Sequence, residues 1–224
     1  MKFFVIIKEH SVRVPNKNFR EIGGVPLWIR MVNTLCGQEV YIDTDSPKIL
    51  SESTKFNWLH SYERLKEHID METNNVLGES PVLQMIDRFL DTFVKDENEI
   101  IITPHVTSPF ITLETMLEAA SMIGKLNEYG DAYCTVQACT EHQEFAYYLN
   151  NPINFQEGSV IKTQNLTPIK LGNGAFFIFT KNSFKKFRDR SAPGHLKYLY
   201  PLSFKESIEI DTEEDFEIAK RFAE

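Results

Sequence analysis

The sequence predicts an α/β protein built on a mostly parallel sheet with helices on both faces. Short β-rich apolar runs alternate with amphipathic helical stretches along the chain, the pattern that builds such a sheet. Its 224 residues, 42% hydrophobic and 25% charged with only ten Gly and ten Pro, suffice for a substantial core.

The first strand is Phe3 to Ile7. Gly23-Gly24 then breaks the chain, and Val25 to Leu35 reads as a helix with Pro26 in its first turn. Val40 to Ile42 is a second strand, followed by Asp43-Thr44-Asp45-Ser46, whose side-chain oxygens can cap a short helix. Ser80 as cap and Pro81 at the first helical position introduce a helix with Val82, Ile86, Phe89, Leu90 and Phe93 on one face. Glu99 to Thr103 is a strand, and Leu113, Met116, Leu117, Ala120 and Ile123 mark another core-facing helix.

Asp131 to Ala138 is a further strand, whereas Asn150 to Gly172 is polar and weakly periodic, an arm or lid. Ala175 to Phe179 returns to a strand, Asn182 to Arg190 to a helix and Ser207 to Ile210 to a last short strand. The closing helix begins at Thr212, with Glu213, Glu214 and Asp215 suited to its N-terminal dipole. The expectation is a single domain over residues 1–224.

Composition excludes several classes of function. Lys and Arg number 24 against 32 Asp and Glu, a net charge of −8, so the chain lacks the field that a nucleic-acid partner requires. Cys36, Cys134 and Cys139 form neither a disulfide framework nor a CxxC zinc pair, and reduced thiols imply the cytoplasm. The apolar run at the start is shorter than a signal peptide's hydrophobic region, and no segment approaches the roughly 20 apolar residues that span a bilayer.

Three places carry candidate chemistry. The segment Lys8 to Arg20 sets four basic residues just beyond a buried strand end, where an anion is the natural guest. It lacks the glycines of a Walker or dinucleotide loop, so side chains and exposed amides would hold any phosphate. Composition alone equally describes a solvated basic loop. Glu209 and Asp211, one residue apart on a strand, share one face and suit magnesium, which takes one or two carboxylates. Alternating acids on an exposed strand are the structural alternative. His105, Thr107 and Ser108 follow a central strand, where open parallel sheets bind ligands.

Together these residues resemble the CMP-sugar-acid synthetases, the acylneuraminate and 3-deoxy-manno-octulosonate cytidylyltransferases. The opening signature is similar at Ile7-Lys8, Ser11-Val12-Arg13-Val14-Pro15-Asn16-Lys17-Asn18 and Gly24-Val25-Pro26-Leu27, and the Thr-Asp step at Asp43-Thr44-Asp45. His105 to Pro109 resembles the family's Gln-Pro-Thr-Ser-Pro loop, and Asn173-Gly174-Ala175 its strand entry, preceded by Gln164 and Pro168. Glu209 to Phe216 matches the closing Asp-Ile-Asp-Thr-x-x-Asp-Phe.

The resemblance implies a three-layer α/β/α Rossmann-like nucleotidyltransferase fold with a dimerisation arm at residues 141–171, hence a homodimer. The implied reaction transfers CMP from CTP to the anomeric hydroxyl of a 2-keto-3-deoxy sugar acid, with magnesium. It makes Lys8, Lys17 and Asp211 catalytic, and assigns nucleotide contacts to Lys8, Ser11, Arg13, Asn16, Lys17, Asn18 and Ser80. His105, Thr107, Ser108 and Gln164 face the acceptor, Glu209 and Asp211 hold magnesium, and Arg64 supplies a base-side arginine. The family's first-loop arginine is Lys8 here, its loop lysine falls at Val12 beside Arg13, its sugar-facing glutamine is His105 and its first metal aspartate is Glu209. These departures leave the acceptor open between a sugar acid and a phosphonate, with a non-catalytic binding homologue as the alternative.

Overall fold

The computed structural model describes residues 1–11, 13–74, 81–128, 133–158 and 160–223. In chain order, strand β1 (Lys2–Ile7) leads through a hairpin of β2 (Glu21–Ile22) and β3 (Val25–Pro26) into helix α1 (Leu27–Thr34). β4 (Val40–Thr44), α2 (Pro47–Ser53), β5 (Leu59–Glu63), α3 (Lys66–Asn74), α4 (Pro81–Phe93), β6 (Ile100–Pro104) and α5 (Leu113–Glu128) follow. β7 (Thr135–His142), the short pair β8 (Tyr147–Tyr148) and β9 (Asn151–Pro152), and β10 (Ile169–Thr180) come next. α6 (Lys181–Phe187), β11 (Lys197–Pro201) and α7 (Glu213–Phe222) close the chain.

Seven strands form one sheet in the order β11-β7-β10-β6-β1-β4-β5. β1 runs parallel to β4 and β6, β4 to β5, and β7 to β11, while β10 is antiparallel to both β6 and β7. The alternation within β1 is read out directly. Phe3, Val5 and Ile7 join α1, α5 and α7 on one face, and Phe4 joins α4 and α6 on the other. Each fully buried Phe, Ile or Leu side chain contributes about 1.5–3 kcal/mol relative to exposure. The chain builds outward from β1 to β4 and β5, then returns to place β6 on the opposite side of β1. That reversal is a topological switch point, and the ends of β1 and β6 diverge there to open a crevice.

Several boundaries differ from the sequence expectation for identifiable reasons. Gly23 and Gly24, with φ of 59° and 74°, make the two-residue turn of the β2–β3 hairpin, so Pro26 ends a strand and caps α1 instead of lying in its first turn. Ser207 to Ile210 is not a strand. Ser207 and Ile208 donate their amides to Ser203 and Lys205 in turns, and only Ile210 reaches across, to the Thr107 carbonyl. The strand expected from Asp131 is described as β7 from Thr135, and it continues to His142, where it pairs with the start of β10 as the root of the arm.

Thr212 caps α7 as expected. Its hydroxyl accepts from the Asp215 amide while the Asp215 carboxylate accepts from the Thr212 amide, a reciprocal arrangement worth about 1 kcal/mol. Among the described residues no helix is long and apolar enough to cross a membrane. Among the described residues no disulfide forms, and Cys134 and Cys139 are buried.

Candidate active site

β1 ends at Ile7, and the chain bends at Asn16, whose φ of 54° is a left-handed conformation that Asn tolerates better than most residues. The bend turns Lys17 and Asn18 inward through a short 3-10 turn, and both side chains are buried. Asn18 Nδ2 donates to the Lys8 carbonyl at 2.8 Å, tying the end of the loop to its beginning. Lys17 Nζ donates to the Ile210 carbonyl at 2.5 Å and lies 3.7 Å from Asp211 Oδ1. Arg13 donates to the same oxygen at 2.7 Å. Burial lowers the Lys17 pKa below its ordinary value, opposed by Asp211 and reinforced by the neighbouring Arg13 charge.

The opposite wall is the loop after β6. The His105 amide donates to the Ala175 carbonyl at 2.9 Å, and the Ile210 amide to the Thr107 carbonyl at 2.8 Å. The Asn-Gly-Ala entry to the core of β10 acts as a clasp on the closing segment. Asn173 Nδ2 donates to the Ser207 carbonyl, and the Gly174 amide donates to Glu209 Oε2 at 3.1 Å. Glu209 also faces His105 Nδ1 at 3.8 Å. That pairing with His105, with the Gly174 amide and the Lys17 charge, holds the Glu209 carboxyl below the usual carboxylate range against the effect of its burial. A Cβ at Gly174 would lie 2.5 Å from Glu209 Oε1, so the bare backbone there leaves the carboxylate its place.

Between the two walls lies a cleft of about 240 Å³. Of the expected residues, Lys8, Ser11, Lys17, Asn18, His105 and Thr107 line it. Ser11 Oγ is buried there without a partner among the described residues. Ser108 is buried outside the lining, and Arg13 and Asn16 are exposed at the loop surface. Gln164 is exposed in the arm, away from this cleft. Glu209 and Asp211 do not line the cleft but grip residues that do, His105 and Lys17. They share no strand face, since their segment is irregular and each has its own partners. Ser80 and Val12 lie outside the described residues.

Arg64 is not presented to the cleft. Its guanidinium is fully enclosed by Asp43 at 2.7 Å, Glu72 at 2.9 Å and the Ile7 and Asp43 carbonyls, leaving it no direction in which to meet a base. Two lining residues escaped the sequence reading. Glu72 belongs to a polar helix with no motif, and Arg190 follows α6 in an Arg-Asp-Arg run that looks like ordinary surface charge.

A switch-point cleft whose polar wall carries Lys8, Ser11, Lys17 and Asn18 is the arrangement of a nucleotide-binding α/β enzyme. The cytidylyltransferase family model matches residues 8–223, and the chain belongs to that family of nucleotidyltransferases. No curated protein sequence matches the chain. Among solved structures, the fold is similar to a CMP:2-keto-3-deoxy-manno-octonic acid synthetase in complex with CTP. That pair shows 11% identity and a TM-score of 0.60, covering 98% of this chain and 96% of the other. It is equally similar to a 4-diphosphocytidyl-2C-methyl-D-erythritol synthase, with 9% identity, a TM-score of 0.62 and coverage of 100% and 99%. The corresponding synthase of Anaerococcus prevotii shows 12% identity and a TM-score of 0.57, with coverage of 98% and 95%.

The bare backbone at Gly174 generates a prediction. Gly174→Ala should displace Glu209, reduce cytidylyltransferase turnover at least about tenfold, and lower stability by about 1–3 kcal/mol, read by steady-state kinetics and urea denaturation. Full activity in that variant would show that the position of Glu209 does not matter.

Proposed function

We propose that this chain transfers CMP from CTP to the anomeric hydroxyl of a 2-keto-3-deoxy sugar acid, releasing pyrophosphate. The observation that carries the reading is the single cleft in which the basic loop and the His105–Thr107 loop face each other across the switch point. Lys8 and Lys17 offset the triphosphate charge, while Ser11 and Asn18 supply hydrogen-bonding groups on the same wall. The acceptor is read at the His105 and Thr107 wall. The acceptor oxygen bonds to the α-phosphorus as the bond to the bridging α,β-oxygen breaks, and the hydroxyl proton leaves to solvent. Catalysis is then chiefly positioning and charge neutralisation.

Asp211 fits magnesium by the chemistry of its donor, a carboxylate with hard oxygens, whereas both Glu209 oxygens already face the Gly174 amide and His105. Arg13 and Lys17 both address Asp211 through Oδ1, and its side chain is 41% exposed. Magnesium needs only one or two protein carboxylates, since water and substrate phosphate complete its octahedron. Bound there, magnesium would supply charge neutralisation at the α-phosphate and acidify the acceptor hydroxyl. The test is a pyrophosphate-release screen with CTP over sugar acids and phosphonates, with and without magnesium. Release with a sugar acid, abolished in Lys17→Ala, is the expected result. Release only with phosphonates would move the acceptor class, and no release with any acceptor would favour a non-catalytic binding protein.

The arm supports a homodimer. Its β8–β9 hairpin exposes Tyr148 (71%) and Leu149 (80%) beside Tyr147 and Ile153, an apolar surface that a second copy would cover. Phe155 packs against Phe145 and Tyr147 beneath it. Light scattering at micromolar concentration should give the mass of two chains, and the mass of one would refute the dimer.

A further inference from the structure

The acceptor wall of the cleft contains a cation that no motif announces. Arg190 lines the cleft, with its guanidinium stacked 3.8 Å above the Phe177 ring and NH1 3.3 Å from His105 Nε2. Arginine has only donors, so His105 accepts at Nε2, while its Nδ1 faces Glu209. Glu209, itself gripped by the Gly174 amide, thus steadies the imidazole, and the imidazole together with the phenyl face steadies the guanidinium. A planar fork held on one face and one edge has few orientations left.

The charge has no contact ion pair among the described residues. Of the other buried or half-buried arginines, Arg64 pairs with Asp43 and Glu72, Arg20 with Glu213, and Arg88 lies 3.8 Å from Asp43, while Arg30 donates to the Ile22 carbonyl away from this cleft. Arg190 has no carboxylate within 4 Å among the described residues, although it is enclosed enough for burial to lower its pKa despite Asp189 and Glu209 nearby. A guanidinium keeps its proton even so, and an enclosed, unpaired cation that faces a cleft is stabilised when an anion enters.

We propose that Arg190 is a specificity-determining residue that receives the oxyanion of the acceptor, a carboxylate or a phosphonate, by a bidentate contact at the His105 wall. This deepens the CMP-transfer reading and rests on it for the identity of the second substrate. It also explains why the wall tolerates histidine at 105, since an imidazole that accepts from Arg190 leaves the remaining guanidinium donors to the ligand. The nucleotide's phosphates have Lys8 and Lys17 on the opposite wall, so the two anions are read by different cations.

The test is thermal stabilisation of the full chain saturated with CTP, without metal, by N-acetylneuraminate, 3-deoxy-manno-octulosonate and 2-aminoethylphosphonate. The uncharged methyl ester of N-acetylneuraminate serves as control. At least one anion should stabilise the protein further and the ester should not, and which anion acts separates carboxylate from phosphonate. In Arg190→Gln the response should weaken at least about tenfold in apparent affinity while the CTP response stays intact, the loss expected for a charge-assisted bidentate pair. Arg190→Lys, which keeps the charge but loses the fork, should recover only part, and it preserves the test should the Gln variant fail to fold. Ester and acid acting alike, an unchanged response in Arg190→Gln, loss of CTP binding in that variant, or no response to any anion would each overturn the proposal. Anion binding lost in Arg190→Gln, without pyrophosphate release by the parent, would sustain it and sink the transfer reading instead.

Discussion

The contact on which the rest depends is the one between Lys17 and the Ile210–Asp211 backbone and side chain, which joins the loop after the first strand to the segment before the last helix. Lys17 has only 11% of its side chain exposed, and an unpaired ammonium at that depth would cost several kcal/mol. Its 2.5 Å hydrogen bond to the Ile210 carbonyl and the nearby Asp211 carboxylate offset that cost. The same contact fixes the closing segment, which has no strand ladder of its own. Ile210 then reaches Thr107, and Glu209 reaches Gly174 and His105, so one buried amine sets the spacing of both cleft walls. The catalytic role proposed for Lys17 is therefore not separable from its structural one, and an activity loss there is informative only beside a measure of folding.

Electrostatics within the cleft follow the same economy. The chain carries a net charge of −8, yet Lys8, Lys17 and Arg190 converge on one crevice whose described lining holds a single carboxylate, Glu72. Glu72 is itself committed to Arg64. Cations thus outnumber carboxylates on the described lining, which suits a small anionic ligand.

Much of the fold was legible in the sequence wherever burial imposed a period. β1, α4 and α7 announce themselves by a short continuous apolar run, by a Pro in the first helical turn and by Thr212 followed by three acids. β5 did not, because it is an edge strand in which only Leu59 is buried, and α3 did not, because its residues are largely polar. Ser207 to Ile210 imitated a strand through its alternating Ile and acid residues, whereas its backbone spends most of its hydrogen bonds on turns. For the site, residues within one loop were readable because the loop is contiguous. Arg64 misled, since nothing in its sequence context reveals that Asp43 and Glu72 enclose it, and Arg190 was invisible because only the fold brings it beside His105.

The central claim is that the switch-point cleft is a CTP site. It is tested most directly by thermal stabilisation with CTP, UTP, ATP and GTP, each with and without magnesium. A ligand at 100 times its dissociation constant adds about 2.7 kcal/mol, enough to see as a clear rise in melting temperature. The account predicts selective stabilisation by CTP, strengthened by magnesium and lost in Lys8→Ala. Equal stabilisation by all four nucleotides, or by none at millimolar concentration, would contradict it.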